Sequence, residues 1–168
     1  MRNPITAVRQ SRGKTLKDFA SDIGINRQAL YLNECGVYPN VLPRIRRYIV
    51  EDLQERTNLS LRIEYQKFVL LKLEGQRGTL DLDRFGVGDL GAPDRSPLAG
   101  LRDALELSRM GFCKTLCLHP ARELGCENGK YFSFGEQIER HLLYVGISEM
   151  VMEEMIERQR DFYRGENT

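Results

Sequence analysis

The residues of this 168-residue chain best equipped for chemistry are hydrogen-bond donors rather than nucleophiles. Asn26, Arg27 and Gln28 stand in a row, with Tyr31 and Leu32 close behind. A guanidinium can pair bidentately with guanine O6 and N7, a carboxamide with adenine N6 and N7, and an apolar side chain can meet a thymine methyl. Arg44, Arg46 and Arg47 follow Pro43 and suit a phosphate backbone, which sets register without reading sequence. Cys113, Cys117, His119 and Cys126 form a metal-like cluster, and thiolates with an imidazole suit tetrahedral zinc. Their C-x3-C-x-H spacing departs from the usual ligand pairs of zinc sites, so small buried thiols are expected, with no metal and no cofactor. Catalysis finds no footing either: no serine and lysine pair stands out and His141 is isolated, so the chain is read as a non-enzyme.

Such donors need a scaffold, and composition narrows the choice. The chain is 41% hydrophobic and 29% charged, ordinary for a globular protein. Uncharged apolar runs such as Phe68 to Leu71 are far short of the ~20 residues that cross a bilayer, and the N-terminus lacks the apolar core of a secretory signal. A cytoplasmic protein with four reduced cysteines is expected. The formal charge of +1 conceals a gradient. Residues 1–57 carry ten basic and six acidic groups, residues 58–97 six of each, and residues 98–168 nine basic and twelve acidic. A basic end on a neutral or acidic remainder fits a chain that meets phosphate at one end.

Periodicity predicts an all-α architecture. Leu42, Ile45, Ile49 and Leu53 recur at helical spacing, as do Phe68 and Leu71, then Leu98, Leu101 and Leu105. Leu59 to Tyr65 alternates like a strand, but no hairpin partner follows and the composition of the next residues favours helix. Gly86, Gly88, Gly91, Pro93 and Pro97 mark residues 86–97 as a linker. Met150 to Arg160 forms an acidic amphipathic helix expected to cap its own domain.

From Thr15 to Gly36 the chain spells TLKDFASDIGINRQALYLNECG, and each part has a local reason. Thr15 can cap a first helix with Asp18 three residues on. Leu16, Phe19, Ala20 and Ile23 share one face, and Gly24 supplies the positive φ that reverses the chain. Asn26 caps a second helix whose Leu30 faces inward, leaving Arg27, Gln28, Tyr31 and Leu32 outward. At these residues the chain resembles the helix-turn-helix of lambda-repressor-like regulators, of the Cro and Xre type. The likeness covers residues 4–56 and rests on Ala20, Gly24, Leu30 and the Glu34-Cys35-Gly36 end of the second helix. It departs at Asn33, where the family places a large aliphatic, and at Leu16, where it places a polar residue. The resemblance implies insertion of residues 26–33 into the DNA major groove, with base contacts from Arg27, Gln28, Tyr31 and Leu32 and phosphate contacts from Asn26, Arg44, Arg46 and Arg47.

The sequence also aligns with itself at an offset of 93 residues. Between Pro4/Pro97 and Arg47/Arg140, eight of 44 pairs are identical, including Arg9/Arg102, Phe19/Phe112, Glu34/Glu127, Gly36/Gly129 and Tyr38/Tyr131. A second, diverged module is therefore expected at 97–148, with His119, Arg122 and Lys130 as its DNA contacts. There Gly24 becomes Cys117 and the inward Leu30 becomes Glu123, so Leu124 is expected to take the core place through a one-residue rotation. The expected organisation is a DNA-binding domain at 1–57, a helical connector and linker at 58–96, and a second helical domain at 97–168. The functional expectation is a phage- or prophage-type repressor of the bacterial nucleoid, binding a double-stranded operator as a two-headed monomer or a homodimer. The rival is a single-headed regulator whose C-terminal half dimerises or holds a protein partner, as an antitoxin or anti-repressor does.

Overall fold

The computed structural model describes residues 2–51 and 56–166, and every regular element among them is helical. Leu53 lies outside the described residues. None of the described helices is long and apolar enough to cross a membrane. The chain divides into two compact units, Met1–Lys72 and Leu73–Thr168.

In the first unit α1 spans Pro4–Ser11, α2 Leu16–Ile23, α3 Arg27–Glu34, α4 Pro43–Glu51 and α5 Arg56–Leu80, the last running past the unit's end. Side chains placed by sequence at the helix starts satisfy the orphan amides there: Asn3 Oδ1 accepts from Ile5 N, Thr15 Oγ1 from Asp18 N and Asn26 Oδ1 from Gln28 N. Gly24 closes α2 at φ 71°, and Ile25 N donates back to Ala20 O. Ile5, Phe19, Leu30, Val37, Ile45 and Ile49 are at most 1% exposed. Each such side chain contributes about 1.5–3 kcal/mol through burial. Arg9 Nε and Nη2 fork onto the Glu34 carboxylate at 2.7 and 3.0 Å, tying α1 to the end of α3.

The helix α5 completes this unit. Tyr65, 1% exposed, donates from its hydroxyl to Tyr38 O, and Lys72 Nζ donates to Cys35 O at the end of α3. At Gly36, in the left-handed region at φ 76°, an added Cβ would press on the Phe68 ring. The segment that alternates like a strand is therefore helix, with Leu61, Tyr65 and Val69 inward.

The second unit contains α6 Pro97–Ala104, α7 Arg109–Thr115, α8 Pro120–Glu127, α9 Glu136–Val145 and α10 Glu149–Glu166. Helices α6 to α9 begin 93 residues after α1 to α4 respectively. Contacts recur with the same offset. Arg102 Nε reaches Glu127 at 2.7 Å as Arg9 reaches Glu34, Ser108 Oγ accepts from Gly111 N as Thr15 accepts from Asp18, and Leu118 N donates to Cys113 O as Ile25 donates to Ala20. Cys117, at φ 53°, adopts the left-handed turn that Gly24 supplies, and Glu106, also at φ 53°, takes the place of Gly13. Such a conformation costs a non-glycine residue about 1–2 kcal/mol.

Sequence alignment ended the repeat at the fourth helix, but its packing extends to the fifth. Fully buried Gln159 on α10 donates from Nε2 to Cys126 O and to Tyr131 O, the counterparts of Asn33 and Tyr38. Residues 86–97 carry a 3-10 turn, Val87–Leu90, in which Gly86 N donates to Asp89 Oδ2. Leu90 is fully buried, and its backbone lies so close to Gly100 of α6 that no Cβ fits there.

Candidate nucleic-acid interface

The donors at the start of α3 are open to solvent. Asn26, Arg27 and Gln28 are all exposed on the first turn of α3, and Asn26 holds that turn open to solvent by capping it. Arg44 Nη1 donates to Gly24 O at 2.7 Å, which places the start of α4 against the turn that precedes α3. Arg47 is exposed one helical turn further along α4, and it lines a shallow hollow with half-buried Arg46, Pro43 and Val50. The backbone amides at the start of α3 add the positive end of a helix dipole. Exposed cations and planar donors of this kind are the chemistry that phosphates and base edges accept.

Leu32, expected outward, is only 6% exposed, and Tyr31 is half-buried. The second half of α3 is tied to the loop after it and to α5, through Asn33, the Cys35 carbonyl and the bond from Val37 N to Leu32 O. Asn33 organises these ties. Fully buried, it donates from Nδ2 to Asn40 O and Tyr65 Oη, and accepts at Oδ1 from Leu42 N. Asn3 Nδ2 donates to its carbonyl. A large aliphatic there would fill the space but leave the Leu42 amide without an acceptor. Asn33 and Tyr65 were the residues sequence reasoning missed; the departure from the aliphatic pattern was the available signal.

At the matching helix start of the second unit the chemistry differs. His119, Pro120, Ala121 and Leu124 stand where Asn26, Arg27, Gln28 and Tyr31 stand in the first. His119 is half-buried, and burial holds its imidazole below the ordinary range. Arg122, expected at DNA, is turned to internal work. Its Nε donates to Phe134 O and its Nη2 to Ser133 O, with the guanidinium 4.1 Å above the Tyr131 ring. Lys130 is exposed, its Nζ 5.7 Å from the centre of the same ring. The rotation expected to bring Leu124 inward does not occur: Glu123 is fully buried and Leu124 only half so, because both helices start at the same repeat position.

Cys113, Cys117 and Cys126 are buried and outside any disulfide, and burial pushes the thiols of Cys113 and Cys126 up to about 12. No group of three or more metal-ligating side chains assembles among the described residues. His141 is 3% exposed, with Nδ1 3.0 Å from Leu116 O, and burial lowers its pKa. Comparison with protein-family models, curated proteins and solved structures finds no match for this chain.

Proposed function

We propose that this chain is a sequence-specific double-stranded-DNA-binding regulator of the lambda-repressor-like helix-turn-helix class, with α2 and α3 as the motif and the first turn of α3 as its reading edge. The observation that carries this reading is the pair of exposed residues Arg27 and Gln28 on a capped, exposed helix start, with Arg44 bonded to the turn that precedes it. Within that class it is a repressor of phage or prophage type, acting in the cytoplasm: a small operator-bound protein blocks polymerase by occupying its site. Arg27 and Gln28 read bases, half-buried Tyr31 flanks them, and Asn26, Arg44, Arg46 and Arg47 face the backbone.

One observation favours a distinct reading of the second unit. Pro120 and Ala121 carry no side-chain donor where the first unit has Arg27 and Gln28, and Arg122 is engaged on carbonyls. This unit therefore contributes protein contacts, with a partner or a second copy, rather than hydrogen-bonded base readout.

Selection of bound duplexes from random DNA by the full chain, followed by stoichiometry on the winning site, tests both statements. A palindrome occupied by two chains is expected; an asymmetric site occupied by one chain would instead make the second unit a reading head, and no enriched sequence would reject DNA recognition. Arg47→Ala in the full chain is expected to weaken every sequence about equally and to reduce the slope of log affinity against log salt by about one. Loss confined to the selected site would move Arg47 from backbone to base.

A further inference from the structure

The least explained group in the molecule is the Glu123 carboxylate. It is fully buried on α8, and neither of its oxygens has a hydrogen-bond partner. Its counterpart in the first unit is Leu30, equally buried and apolar. The charged and titratable groups around it are Arg102 from α6, Arg109 and Cys113 from α7, and Cys126 and Glu127 from its own helix. Neither arginine neutralises it. Arg102 is committed to Glu127 at 2.7 Å, and Arg109 reaches only 4.0 Å with its side chain 49% exposed. Glu127 adds a second negative charge one helical turn away.

We infer that Glu123 is a proton-operated latch of the second unit, holding α8 docked on α6 and α7 while its carboxyl is uncharged and releasing α8 when the proton is lost. A fully buried carboxylate with no hydrogen-bonded donor is poorly stabilised as an anion, so folding and protonation are coupled. Burial first, and then the Glu127 charge, raise the Glu123 pKa from 4.5 to about 8. Because the folded value lies above the unfolded one, the stabilisation is fully present below pH 4.5 and is lost progressively as pH rises to about 8. In that window the opening constant of α8 grows by up to about tenfold per pH unit. The carbonyls at Cys126 and Tyr131 that Gln159 engages lie at the end of α8 and in the loop beyond, so release of α8 also frees α10.

The test is backbone amide hydrogen exchange on the full chain between pH 6 and 9, comparing wild type with Glu123→Gln and Glu123→Leu at each pH, so that intrinsic exchange chemistry cancels. Leucine is the residue the first unit carries at this place, which keeps the test alive if the glutamine variant does not fold. The expected result is that wild-type protection of residues 120–127 falls relative to each folded variant, by up to about tenfold per pH unit to pH 8 and little beyond, while α3 of the first unit keeps a constant ratio. A constant ratio between wild type and variants in α8 across the whole range would overturn the latch.

Discussion

The full chain carrying Arg27→Ala and Gln28→Ala together is expected to stay folded and to lose most of its preference among DNA sequences. Both side chains are exposed, so their removal opens no cavity and strands no buried partner. The capping bond from Gln28 N to Asn26 Oδ1 uses the backbone and survives the change. Each good bidentate base pairing contributes about 1–3 kcal/mol of discrimination, so the pair amounts to about 2–6 kcal/mol. Affinity for unrelated duplexes at low salt should fall far less, because phosphate contacts and counterion release supply that term. Fluorescence anisotropy on the selected and a scrambled duplex at one fixed salt concentration measures the ratio. If the ratio is unchanged while circular dichroism reports a folded chain, α3 is not the reading helix.

Asn33→Ala should destabilise the first unit by about 3 kcal/mol, as much as truncating a large core side chain. The side chain makes three hydrogen bonds in a fully buried place, to Asn40 O, Tyr65 Oη and Leu42 N. Without it the Leu42 amide and the Asn40 carbonyl lose the Asn33 side chain, while Tyr65 keeps its own bond to Tyr38 O. Asn33→Leu removes the hydrogen bonds but keeps the branched four-atom outline of the side chain, with bulkier methyl groups in place of the amide. It too is expected to destabilise, by about 1–3 kcal/mol, through the unsatisfied backbone groups. Urea unfolding of the full chain, with hydrogen exchange assigning the loss to residues 27–51, measures both. A leucine variant more stable than wild type would mean that the network is dispensable.

These two variants act on opposite ends of one helix, which explains how much of the site was legible. Arg27 and Gln28 sit on the first turn of α3, where exposure follows from the preceding turn alone, and their outward placement agrees with the amphipathic pattern. Four residues later the same pattern put Leu32 outward, yet Leu32 is buried, in the half of α3 that bonds to α5 and to the 37–42 loop. Arg122 illustrates the same limit. In sequence it is a free cation on a helix start, whereas in the fold the carbonyls of Ser133 and Phe134 claim it.

What the sequence determined by itself is what neighbours three or four residues apart can enforce: helical character, the Thr15 and Asn26 caps, and the Gly24 reversal. Each is a local free-energy preference already present before the chain is compact. The tertiary structure alone decided which outward positions stay outward, that α5 and α10 belong to the repeating unit, and that Glu123 keeps the inward place of Leu30. Those outcomes rest on contacts between residues far apart in sequence, such as Asn33 with Tyr65 and Cys126 with Gln159, whose closure entropy is met only by the cooperative burial of a whole unit.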